Sequence, residues 1–186
     1  MHDLGEVLKR YCFEKIVIET GTYHGKAVKF FLDHGASEVR SVEGDKGMYG
    51  SCVEMFSGDE RVRLWNGFSS ELLWEMIADI EEEAVFFLDA HPSGVGTFGH
   101  DEAESGESRF GQEEVLLAEL QEIARHPINT HTIIIDDQHT HTSGVEAMNV
   151  LKKRLLEINP QYKFSTSMKQ PSGPKDTGCC LIAEII

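Results

Sequence analysis

Apolar and polar residues alternate in two periods along this chain, and the two periods take turns. Ile16-Val17-Ile18-Glu19 is a short apolar run, and Ala27, Val28, Phe31 and Leu32 then repeat at helical spacing. Glu38 to Glu43 is a second strand-like run, and Met48, Cys52, Val53 and Phe56 predict an apolar face on the helix after it. Val62 to Trp65 follows, then a helix carrying Leu72, Leu73, Met76, Ile77 and Ile80, with Ser69 or Ser70 as its cap. Acids at a helix C-terminus oppose its dipole, so Glu81-Glu82-Glu83 reads as a solvated end, with the helix stopping early. Ala84 to Asp89 and Thr132 to Asp137 are continuous apolar runs ended by acids, which predicts strands buried on both faces. Helices are predicted over 113–125 and from Val145 to Leu155, and strands over 162–168 and 179–186. Residues 1–14 carry Leu4, Val7, Leu8 and Tyr11, enough for one amphipathic turn or helix.

Strands joined by helices give a parallel sheet with helices on both faces. The loop 169–177 is short enough for a hairpin, so one of the last two strands should run against the others. The expected fold class is α/β, three-layered and Rossmann-like, with an antiparallel terminal hairpin. Residues 1–186 form one domain in this reading. Segment 90–111 breaks all periodicity and holds five glycines; 92–111 is expected to be a lid or mobile loop.

In an open parallel sheet, ligands bind beyond the carboxyl ends of the strands. Those ends here supply Glu19, Glu43, Asn66, Asp89 and Asp136-Asp137. The stretch Thr20-Gly21-Thr22-Tyr23-His24-Gly25, between a strand and a helix, lets the main chain approach a ligand where glycine carries no Cβ. Glu43 ends the second strand roughly 20 residues later, the place of an acid that binds ribose hydroxyls.

Glu19-Thr20-Gly21-Thr22-Tyr23-His24-Gly25 resembles the first motif of class I S-adenosylmethionine-dependent methyltransferases, in the E-x-G-T-x-x-G form of small O-methyltransferases. The resemblance spans about the whole chain, and the terminal hairpin is similar to that family's. It implies that Glu19, Gly21, Thr22, Tyr23, Gly25 and Glu43 hold the cofactor S-adenosylmethionine. It also implies that Asn66-Gly67-Phe68-Ser69 flanks the adenine, with Phe68 either an apolar wall there or ordinary core. Asp89 matches the fourth family motif, beside the reactive methyl group. Asp89, Asp136 and Asp137 resemble the acids of metal-dependent enzymes of the macrocin-sugar and catechol types, which implies Mg²⁺ or another divalent cation. Three converging carboxylates would repel one another without a cation. Against this, neighbouring residues of a strand face opposite sides, so one of Asp136 and Asp137 could instead cap a helix or pair with a lysine.

His91, His139 and His141 lie at the same two strand ends, and His91 or His139 is the candidate base, with Asp89 beside it. His139-x-His141 with an aspartate also suits a zinc hydrolase, but that leaves the glycine turn and Glu43 without a use. A module of the same fold that binds a nucleotide or metabolite without chemistry is the other alternative.

Net charge is −15, which repels nucleic acid and anionic membrane. A small neutral or cationic acceptor, or a divalent metal, fits that charge better, and the resemblance implies a small hydroxylated acceptor. No apolar run approaches the ~20 residues of a membrane span. Four cysteines without zinc or redox spacing read as buried reduced thiols, and the start of the chain shows no signal peptide, so a cytoplasmic protein is expected. A homodimer is compatible with so short a core.

Overall fold

A computed structural model describes residues 4–90, 112–136, 145–167 and 180–186. In chain order the elements are α1 (Leu4–Cys12), β1 (Ile16–Thr20), α2 (Lys26–Asp33), β2 (Glu38–Glu43), α3 (Lys46–Met55), β3 (Val62–Asn66), α4 (Ser69–Ile77), β4 (Val85–Leu88), α5 (Gln112–Arg125), β5 (Thr132–Ile135), α6 (Val145–Ile158), β6 (Lys163–Ser167) and β7 (Cys180–Glu184). The predicted alternation of strands and helices is found.

The seven strands form one sheet in the order β3-β2-β1-β4-β5-β7-β6. Strands β1 to β5 are parallel, with Ile18 opposite both Arg40 and Phe86. Strand β7 runs antiparallel between β5 and β6, as the terminal hairpin requires. The chain builds outward from β1 to β3, then crosses back to place β4 on the other side of β1. That reversal opens a crevice above the carboxyl ends of β1 and β4.

The sheet's alternation sorts its side chains into two cores. Ile18, Phe86, Leu88, Ile133 and Ile135 face α4, α5 and α6, meeting Leu73, Met76, Leu120, Ile123 and Leu155. Val17, Val39, Val85, Phe87 and Ile134 face α1 and α2, meeting Leu8, Val28, Phe31 and Leu32. All four residues of β4 are buried, the signature of a strand covered on both sides. Each fully buried aliphatic or aromatic side chain contributes roughly 1.5–3 kcal/mol.

Two local expectations are corrected. The predicted apolar face of α3 is only partly used: Cys52 is buried, but Val53 is 42% exposed. Helix α3 contacts β2 and β3, at the sheet's edge, where there is less to cover it. Helix α4 is capped by neither serine side chain. Phe68 occupies the cap position without a side-chain hydrogen bond, and Ser69 is already helical and buried. The helix ends at Ile77, and Glu81, Glu82 and Glu83 are exposed, as the dipole argument expects.

Two of the nine histidines serve the opposite end of the sheet. His131 accepts the Ala84 N–H at Nδ1 (3.0 Å), so its proton sits on Nε2, which meets His126 Nδ1 at 2.9 Å. Burial, then the neighbouring His126, pushes the His131 imidazole down to about 4. Cys12, Cys52 and Cys180 are buried free thiols. Among the described residues no helix is long and apolar enough to cross a membrane. The 92–111 segment lies outside the described residues, as do Cys179 and His141.

Candidate cofactor site at the carboxyl edge of the sheet

The turn after β1 is pinned from both sides. Gly21 N–H and Thr22 N–H both donate to the Val42 carbonyl of β2, at 3.0 and 3.1 Å. On the other side, the Asp89 N–H donates to the Thr20 carbonyl (3.1 Å) and faces Thr20 Oγ1 (3.2 Å). Gly21, Tyr23 and Gly25 all have positive φ, at 94°, 49° and 68°. A Cβ on Gly21 would lie 2.9 Å from the Asp89 carbonyl oxygen, so only glycine lets β1 and β4 close this tightly. Tyr23 pays for its positive φ with no such excuse, and strain of this kind concentrates at functional sites.

Glu43 is the organiser of the rim. It is 7% exposed, and its two carboxylate oxygens accept the Tyr23 N–H (2.6 Å) and the Asp45 N–H (2.8 Å). One side chain thus fixes both the glycine turn and the start of α3, whose first turn Asp45 caps at Met48 N–H. Asn66 is committed locally: its amide donates to the carbonyls of Glu43 (2.8 Å) and Gly44 (3.3 Å). Gly67 N–H also reaches the Glu43 carbonyl (2.9 Å), so the loop after β3 is tied to the tip of β2. Phe68 is half-buried at the head of α4.

Glu19 lies beneath the turn, 1% exposed. The Ser41 hydroxyl donates to it (2.6 Å) and also meets the Thr22 hydroxyl (2.6 Å), so Glu19 acts on the turn from below. Burial, and then the charges of Asp89 and Glu43, push its carboxyl up to about 8 against the pull of Ser41. Glu119 of α5 is also 1% exposed, and burial raises it to about 7. Sequence reasoning missed Glu119. Its signal was a carboxyl inside the apolar stripe of Leu116, Leu120 and Ile123.

Both carboxyls bind protons more tightly folded than unfolded. Their stabilising effect is complete below the unfolded carboxyl range, near pH 4.5, and is lost as pH rises toward 8. Glu19→Gln removes one titration. Its stability relative to the parent should climb from pH 5 to pH 8, by at most about 1.4 kcal/mol per pH unit. Urea unfolding at pH 5, 6, 7 and 8 measures this, and parallel curves for the two proteins would refute it.

At the ends of β4 and β5, Asp89 is half-buried and Asp136 is 7% exposed. Asp136 N–H donates to the Leu88 carbonyl (3.0 Å), and its Oδ1 accepts the Cys180 thiol at 2.9 Å. Among the described residues no group of three metal-ligating side chains gathers. His91, His139 and Asp137 lie outside the described residues. Glu19, Gly21, Thr22, Tyr23, Gly25, Glu43, Asn66, Gly67, Phe68, Ser69, Asp89 and Asp136 all fall at the carboxyl edge.

The chain matches no family model and no curated protein sequence. Solved structures do match. SMU.1697c of Streptococcus mutans, described as a methyltransferase in complex with SAH, is 14% identical, with a TM-score of 0.63 over 98% of this chain and 96% of that one. The O-methyltransferase TomG of Streptomyces achromogenes, solved with SAM, is 13% identical, with a TM-score of 0.60 over 98% and 79%. An rRNA methylase of Streptococcus thermophilus is 12% identical, with a TM-score of 0.56 over 98% and 95%. This is the Rossmann-like methyltransferase fold. Its rim carries four buried or half-buried acids, Glu19, Glu43, Asp89 and Glu119, around one glycine turn. Of these, the Glu43 and Asp89 carboxylates favour a cationic ligand over an anionic one.

Proposed function

We propose that this protein transfers a methyl group from S-adenosylmethionine to a hydroxyl oxygen of a small acceptor. The observation that carries this reading is the convergence of the strained glycine turn, the Glu43 carboxylate and Asp89 on one rim of the methyltransferase fold. Gly21, Thr22, Tyr23 and Gly25 would hold the cofactor by close main-chain approach, Glu43 by its ribose hydroxyls, and the 66–69 loop by its adenine. When bound, the cofactor supplies an electrophilic sulfonium methyl. The protein's own contribution is alignment and charge: the Glu43 and Asp89 carboxylates favour the cationic donor, and Asp89 flanks the transfer path. His91 or His139 would take the acceptor's proton.

Mg²⁺ belongs to the same reading, with Asp89, Asp136 and Asp137 as its ligands, where it would lower the pKa of the acceptor hydroxyl. Among the described residues no metal group forms, and Asp136 already accepts the Cys180 thiol, a contact that Mg²⁺ would have to displace. A small acceptor fits the net charge of −15, which an RNA acceptor would oppose. Residues 1–186 act as a single domain in this proposal.

Calorimetry tests the donor: S-adenosylmethionine should bind at micromolar to sub-millimolar concentrations, and no heat at millimolar cofactor would remove the proposal. Labelled methyl transfer to a panel of catechols and hydroxylated sugars tests the acceptor. Cofactor binding should survive EDTA while transfer falls at least ~100-fold. Transfer indifferent to EDTA would remove Mg²⁺ and keep the methyltransferase. Binding without transfer to any acceptor would favour a non-catalytic module, and bound zinc without cofactor binding a hydrolase.

A further inference from the structure

Helix α5 turns Leu116, Leu120 and Ile123 toward the sheet, and Glu119 lies in the same stripe. A carboxyl there loses its hydration, which is costly unless hydrogen bonds replace it. The polar groups nearest to it belong to the rim. The carboxyl of Glu119 lies against the hydroxyls of Ser69 and Thr20, both of which favour its charged form. Thr20 Oγ1 faces the Asp89 N–H at 3.2 Å and can accept from it, which leaves the hydroxyl proton for Glu119. Ser69 is 5% exposed and does not cap α4, so its hydroxyl is likewise available to the carboxyl.

One side chain on α5 thereby gathers β1, the head of α4 and, through Thr20, the backbone at Asp89. Among the described residues the charged group that faces it is Asp89, another acid, so no ion pair there explains its burial. Its Oε1 has no hydrogen-bond partner among the described residues. Buried acceptors are rarely left so, and an unmet one beside a binding rim points to a donor that arrives with the ligand.

We propose that Glu119 is a positioning residue of the cofactor site: it orients the Ser69 hydroxyl under the adenosine end and the Thr20 hydroxyl beneath Asp89, and its unmet oxygen receives a donor supplied on binding, the adenine amine or a water held by it. This rests on the methyltransferase reading, in which the 66–69 loop flanks the adenine.

The test is titration of S-adenosylhomocysteine and of adenosine into the full chain and its Glu119→Gln, Glu119→Ala and Ser69→Ala variants, with melting curves alongside. The wild type should bind both ligands. Glu119→Gln should weaken both about tenfold or more, by the same factor, while melting at or above the wild-type temperature, because a buried charge is gone. A structural role predicts the reverse, a lower melting temperature with affinity kept, and that result overturns the proposal. Loss for S-adenosylhomocysteine with adenosine unaffected would also overturn it. Should the Glu119 variants not fold, Ser69→Ala carries the test: it should lose affinity for adenosine, and unchanged affinity rejects the role. A wild type that binds neither ligand fails the methyltransferase reading itself.

Discussion

Gly21→Ala should abolish cofactor binding and lower stability by about 2–4 kcal/mol, the sum of backbone strain and a collision that cannot relax. At φ 94° an L side chain is strained wherever it sits. Here the new Cβ would also stand 2.9 Å from the Asp89 carbonyl oxygen and 3.3 Å from its carbon. These are backbone atoms, and they are held: the Asp89 N–H is bonded to the Thr20 carbonyl one residue before the substitution. The turn must therefore lift away from β4, breaking the Gly21 and Thr22 bonds to Val42 on its other side. Urea unfolding and calorimetry with S-adenosylhomocysteine read the two losses. A variant that keeps both the wild-type midpoint and the wild-type affinity would show that the turn is a connection and not a cradle.

Glu43→Ala carries the second large effect. It deletes the acceptor of two short backbone hydrogen bonds, 2.6 Å to Tyr23 and 2.8 Å to Asp45. Hydrogen bonds to a charged group contribute roughly 1.5–3 kcal/mol each, and both donors lie at a partly buried rim. Stability should fall by about 3–6 kcal/mol. Affinity for the cofactor should fall at least ~100-fold, because the ribose contact and the shape of the turn go together. Glu43→Gln should be intermediate: a carboxamide offers one acceptor oxygen and must present its NH₂ to the other N–H. Equal cofactor affinity in Glu43→Gln and the parent would place the ribose elsewhere.

Most of the fold was legible because β1, β4 and β5 are short apolar runs closed by polar residues, and the helices repeat their apolar positions before a break. Continuous burial of Val85–Leu88 and of residues 133–135 could be read directly, since a strand covered on both faces needs no polar side. The placement of Glu43 and Asp89 on one rim followed from parallel topology alone. What stayed hidden depends on neighbours distant in sequence. Ser69 looks like a helix cap until Glu119, fifty residues on, claims its surroundings. Asn66 shows only its residue type in the sequence, and not that its amide donates to the carbonyls of Glu43 and Gly44. The apolar face of α3 is real in sequence and half wasted in space, because an edge helix has fewer partners. Asp136 offered metal chemistry by type, and a cysteine from the last strand answers it.

A crystal structure of the protein grown with S-adenosylhomocysteine is the most direct arbiter. The ligand's ribose should lie within hydrogen-bond distance of the Glu43 carboxylate, with its amino-acid end between Gly21 and Asp89. Density for the ligand at the opposite edge of the sheet, beside His126 and His131, or on a helical face away from the turn, would contradict the account.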